Sequence, residues 1–219
     1  MELNKIILDL CGGTGSWSKP YEYAGYKVIV ITLPKWDITN HSFEYYFGQK
    51  NLIFFTRNGE EEILSIPVKD IAGILAAPPC TMFSLARTKA IKPRDLKVGM
   101  ECVRACLDII WSCRETKKLN FWALENPMGY LRQFLGKPAL SFDASEFGED
   151  YNKATDLWGY FKPIKTFKKY TRYPSTDKNT RKLPVIPKEY KRDKNMTLTA
   201  IKRSITPQGF AKAFFKANN

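Results

Sequence analysis

The stretch Lys5-Ile6-Ile7-Leu8-Asp9-Leu10-Cys11-Gly12-Gly13-Thr14-Gly15 decides how the chain is read. An apolar, β-prone run breaks into a glycine-rich turn, and residues 16–25 then suit a helix. Glycines let backbone approach a nucleotide-like ligand closely, and a helix start offers free N–H groups. A glycine-rich turn taken alone serves packing as readily as it serves a cofactor.

Working outward, the same alternation recurs. Residues 27–32 (KVIVIT) read as a buried strand. Residues 71–76 (IAGILA) read as another, stopped by Pro78-Pro79. Residues 93–118 predict a long helix, because Leu96, Met100, Val103, Leu107 and Ile110 fall on one face. Residues 120–125 (NFWALE) form a further strand, stopped by Asn126-Pro127. Strands alternating with helices predict parallel βαβ units in an α/β, Rossmann-like, doubly wound sheet. One segment interrupts the pattern. Residues 52–56 and 61–66 flank Asn58-Gly59, which accepts the positive φ angles of a tight turn, so a β-hairpin insertion is expected at about 51–66.

The 219 residues suit one principal domain, and a hydrophobic content of 44% is enough to build a core. No apolar run approaches the ~18–20 residues of a membrane span. The opening MELNKIILDL reads as a first strand and not as a signal peptide. Five cysteines, an odd number, suggest reduced thiols in a cytoplasm. The net charge of +13 is concentrated: residues 162–203 hold 14 Lys/Arg against three acids. This stretch is either a solvated basic face or a polyanion-binding one. Tyr170, Tyr173 and Tyr190 among the charges favour phosphate contact with base stacking. Residues 161–203 are therefore expected to be a basic, loop-rich segment, and residues 204–219 a closing helix.

Two strand tips carry reactive groups. In Ala76-Ala77-Pro78-Pro79-Cys80-Thr81 the prolines stiffen the chain just after a strand. The carboxyl end of a strand is where ligands bind in an open α/β sheet. A helix expected to start near Cys80 would favour its thiolate. The alternative for Cys80 is a small buried hydrophobe. In Ala123-Leu124-Glu125-Asn126-Pro127 a carboxylate stands at the next tip, where it is either a turn cap or a functional acid. Cys102, Cys106 and Cys113 lie at helical spacing among apolar residues and read as core, with no metal site expected. His41 is the sole histidine, which argues against a His–Cys pair.

These stretches together resemble the cytosine-C5 DNA methyltransferase family, in particular its small phage-type members. DLCGGTGSW resembles the family's first cofactor motif, AAPPCTMFS its catalytic loop and ALENPMGYLR its glutamate motif. SEFGEDYNKATDLW resembles the following strand motif, and RSITPQGFAKAFF the closing motifs. The resemblance implies a sheet of the S-adenosylmethionine-dependent methyltransferase type over residues 1–160, followed by a reduced target-recognition region.

It further implies that Cys80 attacks carbon 6 of cytosine and that Glu125 pairs with N3. Asp9, Leu10, Cys11, Gly13, Gly15, Trp17, Asp37 and Pro78 would line S-adenosylmethionine. Thr81, Ser84 and Arg87 would belong to a loop covering the base. Lys168, Lys169, Arg172, Arg181 and Lys182 would contact DNA. A monomer, free of metal and membrane, is expected in a bacterial or phage-infected cytoplasm. Two positions depart from the family pattern. The outer arginine that contacts the cytosine falls at Thr155, with Lys153 as its substitute. The acid that holds the cofactor ribose falls at Thr32. These departures keep two alternatives open: a DNA-binding protein without turnover, and an enzyme acting on RNA or with a modified methyl donor.

Overall fold

A computed structural model describes residues 5–56, 62–85, 87, 92–173, 184–188, 190 and 197–219. Strand β1 (Ile6–Leu10) is buried throughout, as an unbroken apolar run in mid-sheet must be. The glycine turn leads into a short helix α1 (Lys19–Tyr23) and then β2 (Lys27–Ile31), which pairs in parallel with β1. The chain next leaves this sheet. β3 (Trp36–Tyr46), β4 (Gln49–Thr56) and β5 (Ile63–Pro67) form a separate antiparallel sheet. Phe47 and Gly48, with φ angles of 49° and 76°, make the tight turn between β3 and β4.

β6 (Ile71–Ala76) returns beside β1, again in parallel. Helix α2 (Leu96–Arg114) starts at Asp95, whose carboxylate accepts from the Val98 N–H at 3.0 Å and so satisfies one free donor of the first turn. The helix buries Val103, Cys106, Ile109, Ile110 and Cys113 between the two sheets. On its outer side the His41 Nε2 lies 3.0 Å from Asp108 Oδ2, which ties β3 to α2. β7 (Phe121–Pro127) pairs in parallel with β6, with Ala76 opposite Leu124.

The last part of the sheet reverses direction. After α3 (Arg132–Leu135) come β8 (Leu140–Asp143) and β9 (Ala154–Tyr160). β9 inserts between β7 and β8, antiparallel to both. Helices α4 (Leu198–Ser204) and α5 (Gln208–Asn218) close the chain. Phe210 and Phe214 of α5 build a second core with Trp17, Phe142 and Phe147; the Phe142 and Phe210 rings stack at 4.3 Å. Burying each such ring stabilises the fold by roughly 2–3 kcal/mol.

The expectation of a doubly wound, Rossmann-like sheet with a hairpin insertion is corrected on two counts. The main sheet is mixed: six strands in the order β2-β1-β6-β7-β9-β8, with its last two pairings antiparallel. Ten residues separate β8 from β9, fewer than the dozen or so that a parallel crossover needs. They are folded into a capped turn at Ala144–Phe147, which ends on Gly148 in the left-handed region. Gly159, at φ 150°, makes the β7–β9 pairing possible, because a Cβ there would lie 2.2 Å from the Trp122 carbonyl oxygen. The expected hairpin is in turn part of an independent three-stranded sheet. Its β4 and β5 pair as anticipated, while β3 adds a third strand and Asn58-Gly59 lies outside the described residues. Among the described residues no helix is long and apolar enough to cross a membrane.

Candidate active site

Three strand tips meet at one end of the main sheet. β6 delivers Cys80, β7 delivers Glu125, and the loop entering β9 delivers Lys153. Pro78 is buried, and its carbonyl accepts from Asn126 Nδ2 at 2.9 Å, so the Pro-Pro and Glu-Asn-Pro tips are joined directly. No helix begins at Cys80, contrary to expectation. Its carbonyl instead accepts from the Phe83 and Ser84 N–H groups at 2.9 and 2.8 Å, forming a single turn.

The electrostatics follow from that placement. Burial raises the Cys80 thiol above its ordinary value, and the Glu125 carboxylate raises it further. Lys153 and Arg203 oppose the rise. The resting group is therefore a thiol held between charges of both signs, and not the dipole-stabilised thiolate expected from a helix start. Lys153 Nζ lies 3.3 Å from Glu125 Oε1, with both side chains mostly shielded from solvent. Thr155 is buried, and its hydroxyl donates to the Lys153 carbonyl oxygen at 3.1 Å, so it steadies the Lys153 backbone and presents no free hydroxyl to the site.

The glycine turn forms a second cluster. Asp9 is fully buried, and Ser18 Oγ donates to its Oδ2 at 2.6 Å. Burial pushes the Asp9 carboxyl up to about 6. Its Oδ1 has no hydrogen-bond partner among the described residues. The backbone of Gly12 passes directly over this carboxyl, and a Cβ there would fall 2.3 Å from Asp9 Cγ. Cys11 holds a φ of 56°, and Gly13 and Gly15 also lie at positive φ. A side-chain hydrogen bond with Cys106 and then burial raise the Cys11 thiol, with the charges of Asp9 and, on β3, Asp37 adding to the rise. An orphaned acceptor beneath a side-chain-free backbone is a cradle that fits the polar end of a cofactor such as S-adenosylmethionine. Leu10 is buried beside it. Trp17 departs from its expected role: it is 2% exposed and packs on Phe210 and Phe214 in the second core.

Of the expected nucleic-acid contacts, Ser84 forms a β-bridge with Gly129, and Arg87 donates to the Lys92 carbonyl oxygen at 2.9 Å. Lys168, Lys169 and Arg172 are exposed. The segment carrying them is pinned beside the site by Asn152, which donates to the Thr171 carbonyl oxygen at 2.8 Å and accepts from the Tyr173 N–H at 2.7 Å. Arg181 and Lys182 lie outside the described residues. Sequence reasoning missed Arg203, Asn152 and the Arg132–Asp156 pair, in which two guanidinium nitrogens each lie 2.6 Å from the buried carboxylate. Arg203 stands four residues before Pro207, which precedes α5, and nothing in the sequence marked it or the others as site residues. Among the described residues no cluster of three or more His, Cys, Asp or Glu could hold a metal.

No protein-family model and no characterised protein matches the chain. Among solved structures, part of it is similar to a Chryseobacterium gregarium RiPP-associated ATP-grasp ligase in complex with ADP and a leader and core peptide. That likeness spans 33% of this chain and 22% of the ligase, at 18% identity and a TM-score of 0.23. A match of that size carries no argument about fold or chemistry.

Proposed function

We propose that the protein methylates carbon 5 of cytosine in DNA, with Cys80 as nucleophile, and that it works as a monomer. The observation that carries this reading is the meeting of Cys80, Glu125 and Lys153 at adjacent strand tips. Carbon 5 of cytosine is too electron-poor to accept a methyl group directly. Addition of the Cys80 sulfur to carbon 6 moves the ring's double-bond pair toward carbon 5, while the thiol proton leaves to solvent. The carbon 4–N3 double-bond pair shifts in turn onto N3, where Glu125, once it has taken a proton from solvent, donates a hydrogen bond, and the Lys153 ammonium offsets the developing charge. When bound, S-adenosylmethionine supplies an electrophilic methyl group for carbon 5. Asp9, Leu10, Cys11, Gly13, Gly15 and Asp37 would hold it. Loss of the carbon 5 proton to solvent re-forms the double bond, and the carbon–sulfur pair returns to Cys80. In a duplex the base must first leave the stack, which suits a site at the open end of a sheet.

The raised Cys80 thiol and the buried Thr155 favour a second reading, a DNA-binding protein without turnover. A duplex containing 5-fluorocytosine separates the two. The first reading expects a denaturation-stable adduct in the presence of S-adenosylmethionine, lost in Cys80→Ser. Tight DNA binding with no adduct in any sequence context would sink it.

A further inference from the structure

We infer that Arg94 is a positioning residue that closes the neck of the loop following Cys80 and holds the nucleophile's turn against the β7 tip. This rests on the reading of Cys80 as the reactive group. The chain leaves the site through Met82 and Ser84 and returns at Arg94, immediately before the cap of α2. The Arg94 guanidinium spans that gap, donating to the Met82 carbonyl oxygen at 2.9 Å and to the Ser84 carbonyl oxygen at 2.8 Å. Its plane also rests over the Tyr130 ring, 4.9 Å from the centroid. Tyr130 follows the Glu-Asn-Pro tip, and its N–H donates to the Phe83 carbonyl oxygen at 3.0 Å. Phe83 is fully buried, and Gly129 approaches it so closely that a Cβ would lie 2.3 Å from that same carbonyl oxygen.

One cation therefore satisfies two carbonyls of the Cys80 turn and stacks on the segment that follows Glu125. The planar fork of arginine allows all three contacts at once, and the point charge of lysine does not. The consequence is that residues 80–84 form a fixed seat for the thiol.

The test compares wild type with Arg94→Gln, Arg94→Lys and Tyr130→Leu in the full chain, by two readouts. The first is alkylation of Cys80 by iodoacetamide in the free protein, followed by mass spectrometry. Opening the neck exposes the half-buried thiol, so Arg94→Gln is expected to react about tenfold faster, the scale of one charged hydrogen bond. The second is 5-fluorocytosine adduct formation alongside duplex affinity. Adduct formation is expected to slow by about tenfold or more, since small displacements of a reacting atom are costly, while affinity stays within about twofold. Arg94→Lys should fall between, and Tyr130→Leu should shift both rates in the same directions as Arg94→Gln but less. Faster alkylation with slower trapping is a combination that simple misfolding, checked by thermal melting, does not produce in a protein that keeps its affinity. Unchanged Cys80 alkylation in both Arg94→Gln and Tyr130→Leu overturns the inference. If wild type gives no adduct yet the alkylation rates shift as stated, the clasp stands and the methyltransferase reading falls.

Discussion

Lys153 Nζ and Glu125 Oε1 face each other at 3.3 Å, one on the loop entering β9 and the other at the tip of β7, and they act on Cys80 with opposite sign. The carboxylate discourages ionisation of the thiol and the ammonium encourages it. Glu125→Gln should therefore move the pH midpoint of Cys80 alkylation downward, and Lys153→Met should move it upward. Both variants should slow 5-fluorocytosine trapping, by about tenfold or more, because each removes a group that meets charge developing on the base. Midpoints that move the other way, or not at all, would remove the basis for treating the three residues as one site.

Asp9 makes the fold sensitive to pH in an unusual direction. Its carboxyl is pushed up to about 6 by burial, above the ordinary 3.8, so the native state holds this proton more tightly than the unfolded chain. Its contribution is fully present below pH 3.8 and is lost as pH rises through about 6. The loss is at most about 3 kcal/mol, from 1.36 kcal/mol per unit. Asp9→Asn should flatten this part of the profile. Urea denaturation of both proteins at pH 4 and pH 7 measures it: the wild type's disadvantage relative to the variant should grow toward pH 7.

The exposed cations between β9 and α4 are expected to bind phosphate without reading sequence. Replacing Lys168, Lys169 and Arg172 together by alanine should reduce the slope of log affinity against log salt by about 2–3, because each phosphate contact releases close to one counterion. Fluorescence anisotropy with duplexes at several salt concentrations gives the slope. An unchanged slope would move the DNA surface elsewhere.

Gly159→Ala tests the reversed pairing in the main sheet. The new Cβ would meet the Trp122 carbonyl oxygen at 2.2 Å in a backbone conformation, φ 150°, that side chains rarely adopt. Destabilisation of about 3 kcal/mol or more is expected from strain and a lost sheet contact, seen as a lowered urea midpoint. A change within about 0.5 kcal/mol, typical of an unconstrained surface site, would show that β9 tolerates displacement.

The strand tips were readable because each ends an apolar run on glycine or proline: Leu10 before Cys11-Gly12, Ala76 before Pro78-Pro79, Glu125 before Asn126-Pro127. Helix α2 was readable from its single apolar face. β3 was not, since Trp36-Asp37-Ile38-Thr39-Asn40-His41 mixes polar and apolar residues as an edge strand does, half of it facing solvent. The direction of β9 was hidden for a different reason: a strand's own pattern does not say which way its neighbours run. Cys80 and Glu125 were found as chemistry-bearing side chains in stiff frames. Arg94 escaped notice because its partners are main-chain carbonyls, which every residue possesses. Trp17 sits beside the glycine turn in sequence, yet α5 draws its ring into the second core.

The ladder between β6 and β7 places Ala76 opposite Leu124, so four peptide units lead to Cys80 on one strand and a single one to Glu125 on the other. The separation of the two reactive groups is thus counted out in residues from a shared hydrogen-bonded rung. Deleting Pro79 would leave the β6–β7 ladder itself intact and yet bring a different side chain to the tip that now carries Cys80. Such a change would act on the proposed reaction through chain length alone, which makes length, as much as identity, a property of this tip on which selection can act.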